Sequence, residues 1–205
     1  MESLNEDLRF KIIAAAIYDV AVYEFEQVEA VLVSLCTALS TSALRPCLET
    51  AHRLSYEINF GKGWTLDALG LATWRETFRT AYAALMSERQ EDREFLRTAI
   101  RSSAPVTTGV AGPRFEPSRA LLRCRTVVIA QLVLARGANV NYRSQQAESP
   151  LRSAVERRDI EVASFLVERG ATTTQRVFDT TLLHLAAERP TFDADRDHRM
   201  IRLLT

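Results

Sequence analysis

With 205 residues, 47% of them hydrophobic and 25% charged, the chain can form one large globular domain or two small ones and bury a substantial core. Its 26 basic and 26 acidic side chains cancel, which removes the general electrostatic case for nucleic acid or an anionic membrane surface as partner. Cys36, Cys47 and Cys124 are widely spaced and form no CxxC pair, so they read as free thiols in a reducing compartment and exclude a disulfide frame or a zinc site.

In chain order, Glu2, Glu6 and Asp7 make the N-terminus acidic, without the basic start of a secretory signal. Leu8, Ile12, Ala16 and Val20 form one apolar stripe, and Phe25, Val28, Leu32, Leu35 and Leu39 form another, each on one helix face. The second stripe is too short for a coiled coil, so packing into a core is expected. The longest uncharged stretch, Ala30 to Leu44, is too short to span a bilayer. A cytoplasmic or nuclear protein is expected.

Pro46 starts a third predicted helix through Leu48, Ala51 and Ile58, ended at Gly61-Lys62-Gly63. Thr65 is expected to cap the next, which carries Leu69, Trp74, Phe78, Tyr82 and Leu85. A further helix holds Phe95, Leu96, Ala99 and Ile100. Residues 1–104 are therefore expected to be antiparallel helices, and the Pro- and Gly-rich segment 105–115 a linker.

From residue 116 onward the chain overlays on itself at an offset of 33 residues: Pro117 falls on Pro150, and Gly137-Ala138 on Gly170-Ala171. Between them, Ile129-Ala130-Gln131-Leu132-Val133-Leu134 falls on Val162-Ala163-Ser164-Phe165-Leu166-Val167. In the middle unit Ser149 is placed to cap a helix opened by Pro150, which carries Leu151, Ala154 and Val155 and breaks at Arg157-Arg158-Asp159. A second helix, Ile160 to Glu168, buries Val162, Phe165, Leu166 and Val167, and Gly170 stops it.

The string Thr180-Thr181-Leu182-Leu183-His184-Leu185-Ala186-Ala187 resembles the Thr-Pro-Leu-His-x-Ala signature of ankyrin repeats, and Gly137-Ala138-Asn139-Val140-Asn141 resembles their Gly-Ala-Asp-Val-Asn turn. The resemblance covers residues 116–205. It implies an all-α, ankyrin-like helical solenoid with units 116–148, 149–180 and an incomplete 181–205. The N-terminal part would be divergent and helical, made of degenerate or capping repeats. Glu116 and Leu182 depart from the family's threonine and proline. The loop Glu188 to Arg199 is longer than its inter-helix turn, with Met200 to Leu204 opening the next helix. An array ending in mid-helix is expected to be a fragment, a truncated product or an array closed by a partner.

No catalytic, metal or cofactor site is expected. In the resembled family the histidine of His184's motif bonds within its own turn, here to Thr181, and Arg119 and Arg152 occupy the same place in the other units. Asp193, Asp195 and Asp197 begin like a calcium loop, but His198 stands where glycine is needed and Leu204 where a bidentate glutamate is needed. A solvated acidic loop is the simpler reading. Gly61-Lys62-Gly63 lacks the remainder of a phosphate loop. Arg97, Arg101, Arg119, Arg123 and Arg125 are spread among acids and read as solvated faces, not as a nucleic-acid groove.

The resemblance implies a non-enzymatic protein that binds another protein through turn tips and a rigid concave face. Those positions are Tyr142, Arg143, Gln145, Gln146, Glu148, Glu156 and Arg157 in the middle unit. In the last unit they are Arg176, Phe178, Thr180 and Glu188. The alternative is a regulatory or targeting segment of a longer enzyme or receptor. The partner and the oligomeric state are not fixed by the residues.

Overall fold

The computed structural model describes residue 30 and residues 45–66, 69–101, 117–174, 176–177, 180–188 and 193–205. The two N-terminal apolar stripes, the 105–115 linker and Phe178 lie outside the described residues. The described chain is mostly helical, and its strand is confined to one short hairpin. Among the described residues no helix is long and apolar enough to cross a membrane.

The chain divides into two units, residues 1–83 and 84–205. The division lies well ahead of the 105–115 boundary read from composition, because α3 (Gln90–Arg101) packs on α4 (Pro117–Leu121) and α5 (Val127–Ala135).

In the first unit, α1 (Arg45–Phe60) stops just before Gly61, as the sequence suggests. Its buried Tyr56 ring lies 4.9 Å from Phe60, 6.1 Å from Trp64 and 5.6 Å from Trp74. The Trp64 indole donates to the Phe60 carbonyl at 2.8 Å, so a large aromatic is buried with its one polar atom satisfied. The next helix, α2 (Trp74–Ser87), starts later than the sequence indicates. Thr73 caps it by accepting from the Glu76 N–H at 3.2 Å, in place of Thr65, and Leu69 falls outside the helix. Glu49 adds a second acceptor at this end, 2.8 Å from the Trp74 N–H, and two sequence-distant segments are thereby tied together.

The second unit is built of helix pairs. α4 packs on α5, α6 (Pro150–Glu156) on α7 (Ile160–Glu168), and α8 (Leu182–Glu188) on α9 (Ala194–Leu204). α6 also contacts α8, while α3, α5, α7 and α9 contact one another in sequence. The short antiparallel hairpin of β1 (Arg176–Val177) and β2 (Thr180–Thr181) leads into α8, with Arg176 opposite Thr181.

Local chemistry explains these elements. α5 and α7 are both nine residues long and begin 33 residues apart, at Val127 and Ile160. α5 is apolar nearly all round, as expected of a helix covered by α3, α4 and α7. Thr126, Ser149, Asp159 and Asp193 cap α5, α6, α7 and α9 by accepting from the N–H three residues on.

Three of these helices end alike. The N–H of Ala138, Asp159 and Ala171 reaches back five residues to Val133, Ala154 and Leu166. The residue before each adopts positive φ: 86° at Gly137, 60° at Arg158 and 87° at Gly170. Glycine occupies the left-handed position without strain, whereas Arg158 takes it as a side-chain-bearing residue.

The core of this unit joins Leu151, Ala154 and Val155 of α6 to Val162, Ala163 and Leu166 of α7, then to Leu182, Ala186, Met200 and Leu204. Met200 and Leu204 lie four residues apart on α9 and so share its buried face. α9 begins at Ala194, within the stretch read from sequence as an acidic loop. Asp193 is its cap and Asp195 and Asp197 fill its first turn, where the helix dipole favours negative charge.

Candidate functional site

The second unit presents chemistry at both ends of its first helices. Ahead of α6, the loop from Asn139 to Ser149 folds around Ser144. Its Oγ accepts from the N–H groups of Gln146 and Glu148, and its own N–H donates to the Glu148 carbonyl at 2.9 Å. Ala147 holds φ at 59° within this turn. The turn leaves Arg143, Gln145 and Gln146 exposed and Tyr142 and Glu148 half-buried.

Asn141 fastens this loop to the turn that follows α7. Its Nδ2 donates to the Gly170 carbonyl at 3.0 Å, and its Oδ1 accepts from the Thr172 N–H at 2.8 Å. Both ends of one amide are thereby engaged by the backbone of Gly170 and Thr172.

Ahead of α8, Arg176 is exposed and Thr180 half-exposed on the hairpin. His184 Nδ1 lies 2.6 Å from Thr181 Oγ1, the partner its motif implied. The predicted surface residues thus gather in two loops that precede neighbouring helices. Glu156, Arg157 and Glu188 stand apart from them at the far ends of α6 and α8, the two glutamates exposed and Arg157 half-buried. The Glu156 carboxylate takes a 2.8 Å hydrogen bond from Arg152.

At that far end, the helix–helix turns are stitched together by charged groups. Glu88 is buried and its carboxylate accepts from the N–H groups of Arg125 and Thr126 and from the Thr126 hydroxyl, all within 3.0 Å. Arg157 reaches back to the carbonyls of Leu122 and Cys124, each at 2.7 Å. Arg158 reaches forward to the Ala186 carbonyl at 2.7 Å and to Asp197 at 3.5 Å.

Burial sets the protonation of this end. It raises the Glu88 carboxyl against the opposing hydrogen bonds from Arg125 and Thr126, and it raises Asp159 against the Val162 N–H. It pushes the buried Cys124 thiol well above its ordinary range, which favours the neutral thiol over the thiolate. Arg157 is lowered by burial and then by Arg125, with Asp159 opposing.

Among known proteins, the chain matches no family model, no curated protein and no solved structure.

Two adjoining hollows open over these turns. One of about 530 Å³ is lined by Arg89, Arg125, Arg157, Asp159 and Arg196. The other, about 430 Å³, shares Arg89, Arg125 and Arg157 and continues to Arg123, Leu122, Glu91 and Asp92. Of the five arginines weighed in the sequence as a basic patch, Arg123 and Arg125 reach this place. Arg97 pairs instead with Glu94 at 2.9 Å. Arg89 and Arg196 were missed because no sequence motif connects them. Among the described residues no group of three or more His, Cys, Asp or Glu side chains is placed to hold a metal ion.

Proposed function

We propose that the chain is a non-catalytic protein-binding module, an ankyrin-like stack of helical hairpins that presents loop tips to a partner protein. The observation that carries this reading is the Asn141 bridge to Gly170 and Thr172, which fixes one tip loop to the turn that follows α7. Tips tied to each other and to paired helices are positioned before a partner arrives, so association costs little ordering entropy. The equal lengths and 33-residue spacing of α5 and α7, with matching caps at Gly137 and Gly170, support the repeat reading.

Tyr142 and Arg143 belong to the residue types enriched at binding hot spots and head the list of tip residues to vary. The test is quantitative affinity capture from native lysate with the wild type and with a Tyr142→Ala/Arg143→Ala double variant. Proteins held by the wild type and lost by the variant, at equal thermal midpoint, support the reading. A captured set that is unchanged by tip substitution overturns it.

A further inference from the structure

We propose that the groove across the helix–helix turns, formed by Arg89, Arg125, Arg157 and Arg196, binds an acidic peptide segment of a partner protein. The proposal deepens the protein-binding reading and lies at the opposite end of the first helices from the tip loops. It stands on the convergence of four arginines, three from separate helix–helix turns and Arg196 from the first turn of α9, on one hollow whose lining among the described residues includes the single acid Asp159.

Local pairing does not use up this charge. Arg89 meets Glu91 at 3.3 Å and Arg123 meets Asp92 at 2.6 Å, so two of the groove's cations already have counterions. Asp159 caps α7 through Oδ1 and Glu88 accepts from the backbone of Arg125 and Thr126, and both carboxylates also attract Arg157. Arg125 and Arg196 make no ion pair among the described residues, and the Arg157 guanidinium is held at two carbonyls. Positive charge is therefore in excess where the chain as a whole is neutral. The Arg157 guanidinium, held by backbone carbonyls, loses little freedom when a carboxylate arrives.

The shape selects the ligand class. Two hollows sharing three arginines suit several carboxylates spaced along an extended chain better than one compact anion. Glu91, Asp92 and Asp159 are interspersed along the lining, which repels the unbroken phosphate run of a nucleic acid. Among the described residues no aromatic side chain lines either hollow to stack a base.

The experiment measures fluorescence anisotropy of a short labelled peptide of alternating glutamate and serine, titrated with the full chain. Controls are its glutamine counterpart and a single-stranded RNA of equal charge. Binding of the glutamate peptide is expected, weakening with salt, with none by the glutamine peptide. Arg125→Glu and Arg196→Glu are each expected to weaken it by roughly tenfold or more.

Arg196→Glu adds an acid to the first turn of α9, a position the helix dipole favours, so the fold is not what it tests. Tyr142→Ala should leave peptide affinity unchanged. No binding of the glutamate peptide at low salt, equal binding by both reversal variants, or tighter binding of the RNA overturns the proposal. If the peptide fails while tip-dependent capture persists, the groove fails and the protein-binding reading stands. If the peptide binds but tip substitution alters no capture, the groove stands and the tip reading falls.

Discussion

Asn141 and Glu88 are single residues whose side chains each join two stretches distant in sequence. Asn141 is exposed and makes its two bonds in water-accessible surroundings, so each is worth a modest net amount. Asn141→Ala is expected to cost about 1–2 kcal/mol, read as a shift of the urea midpoint at constant m-value. Asn141→Asp keeps the acceptor for Thr172 but sets a carboxylate against the Gly170 carbonyl, and should fall below wild type as well.

Glu88 makes a pH-dependent contribution. Burial raises its carboxyl, so the folded chain holds the proton more tightly than the unfolded chain. Its stabilising contribution is thus complete below the ordinary carboxylate range and is lost as pH rises through the elevated folded value. Glutamine does not titrate. The stability of wild type relative to Glu88→Gln should therefore decline as pH climbs through the mildly acidic range. Urea midpoints of both proteins at several pH values measure this, and a gap that widens with pH contradicts it.

At the scale of elements, α7 shows how one helix serves two purposes. Leu166 is fully buried in the cluster that joins α6, α7, α8 and α9. Phe165, one residue earlier, is 8% exposed and lies under the Arg169 guanidinium at 4.9 Å. Leu166→Ala opens a cavity with neighbours on every side and is expected to cost about 2–5 kcal/mol. Phe165→Ala removes more atoms but at the margin of the core, where solvent can enter. Its cost should sit near the low end of the usual range, about 3 kcal/mol. Thermal midpoints of the two variants decide whether the cluster or the ring contributes more.

Over the second unit, α7 is flanked by both α5 and α9, whereas the main packing of α9 is against α7 and α8. In a stack of units stabilised by their neighbours, flanked elements open least. Amide hydrogen exchange is expected to be slowest in α5 and α7 and faster in α8 and α9. Uniform protection across all four would contradict nearest-neighbour stacking.

The sequence by itself determined the second-unit helices that have local punctuation. Pro150 with Ser149, the Val127–Ala135 apolar run and the glycines at 137 and 170 each act within a few residues, so their effects can be read without knowing the fold. It misplaced the cap of α2 and the start of α9, since Thr65 and the aspartates of 193–197 suit a cap, a loop or a first turn equally well until packing chooses. Only the tertiary structure decided the arginine groove. Arg89, Arg125, Arg157 and Arg196 lie 36, 32 and 39 residues apart, an irregular spacing that no period reveals. Turn lengths vary without disturbing the helices they join, so a site built from several turns becomes visible only when the helices are packed and the turns are brought side by side.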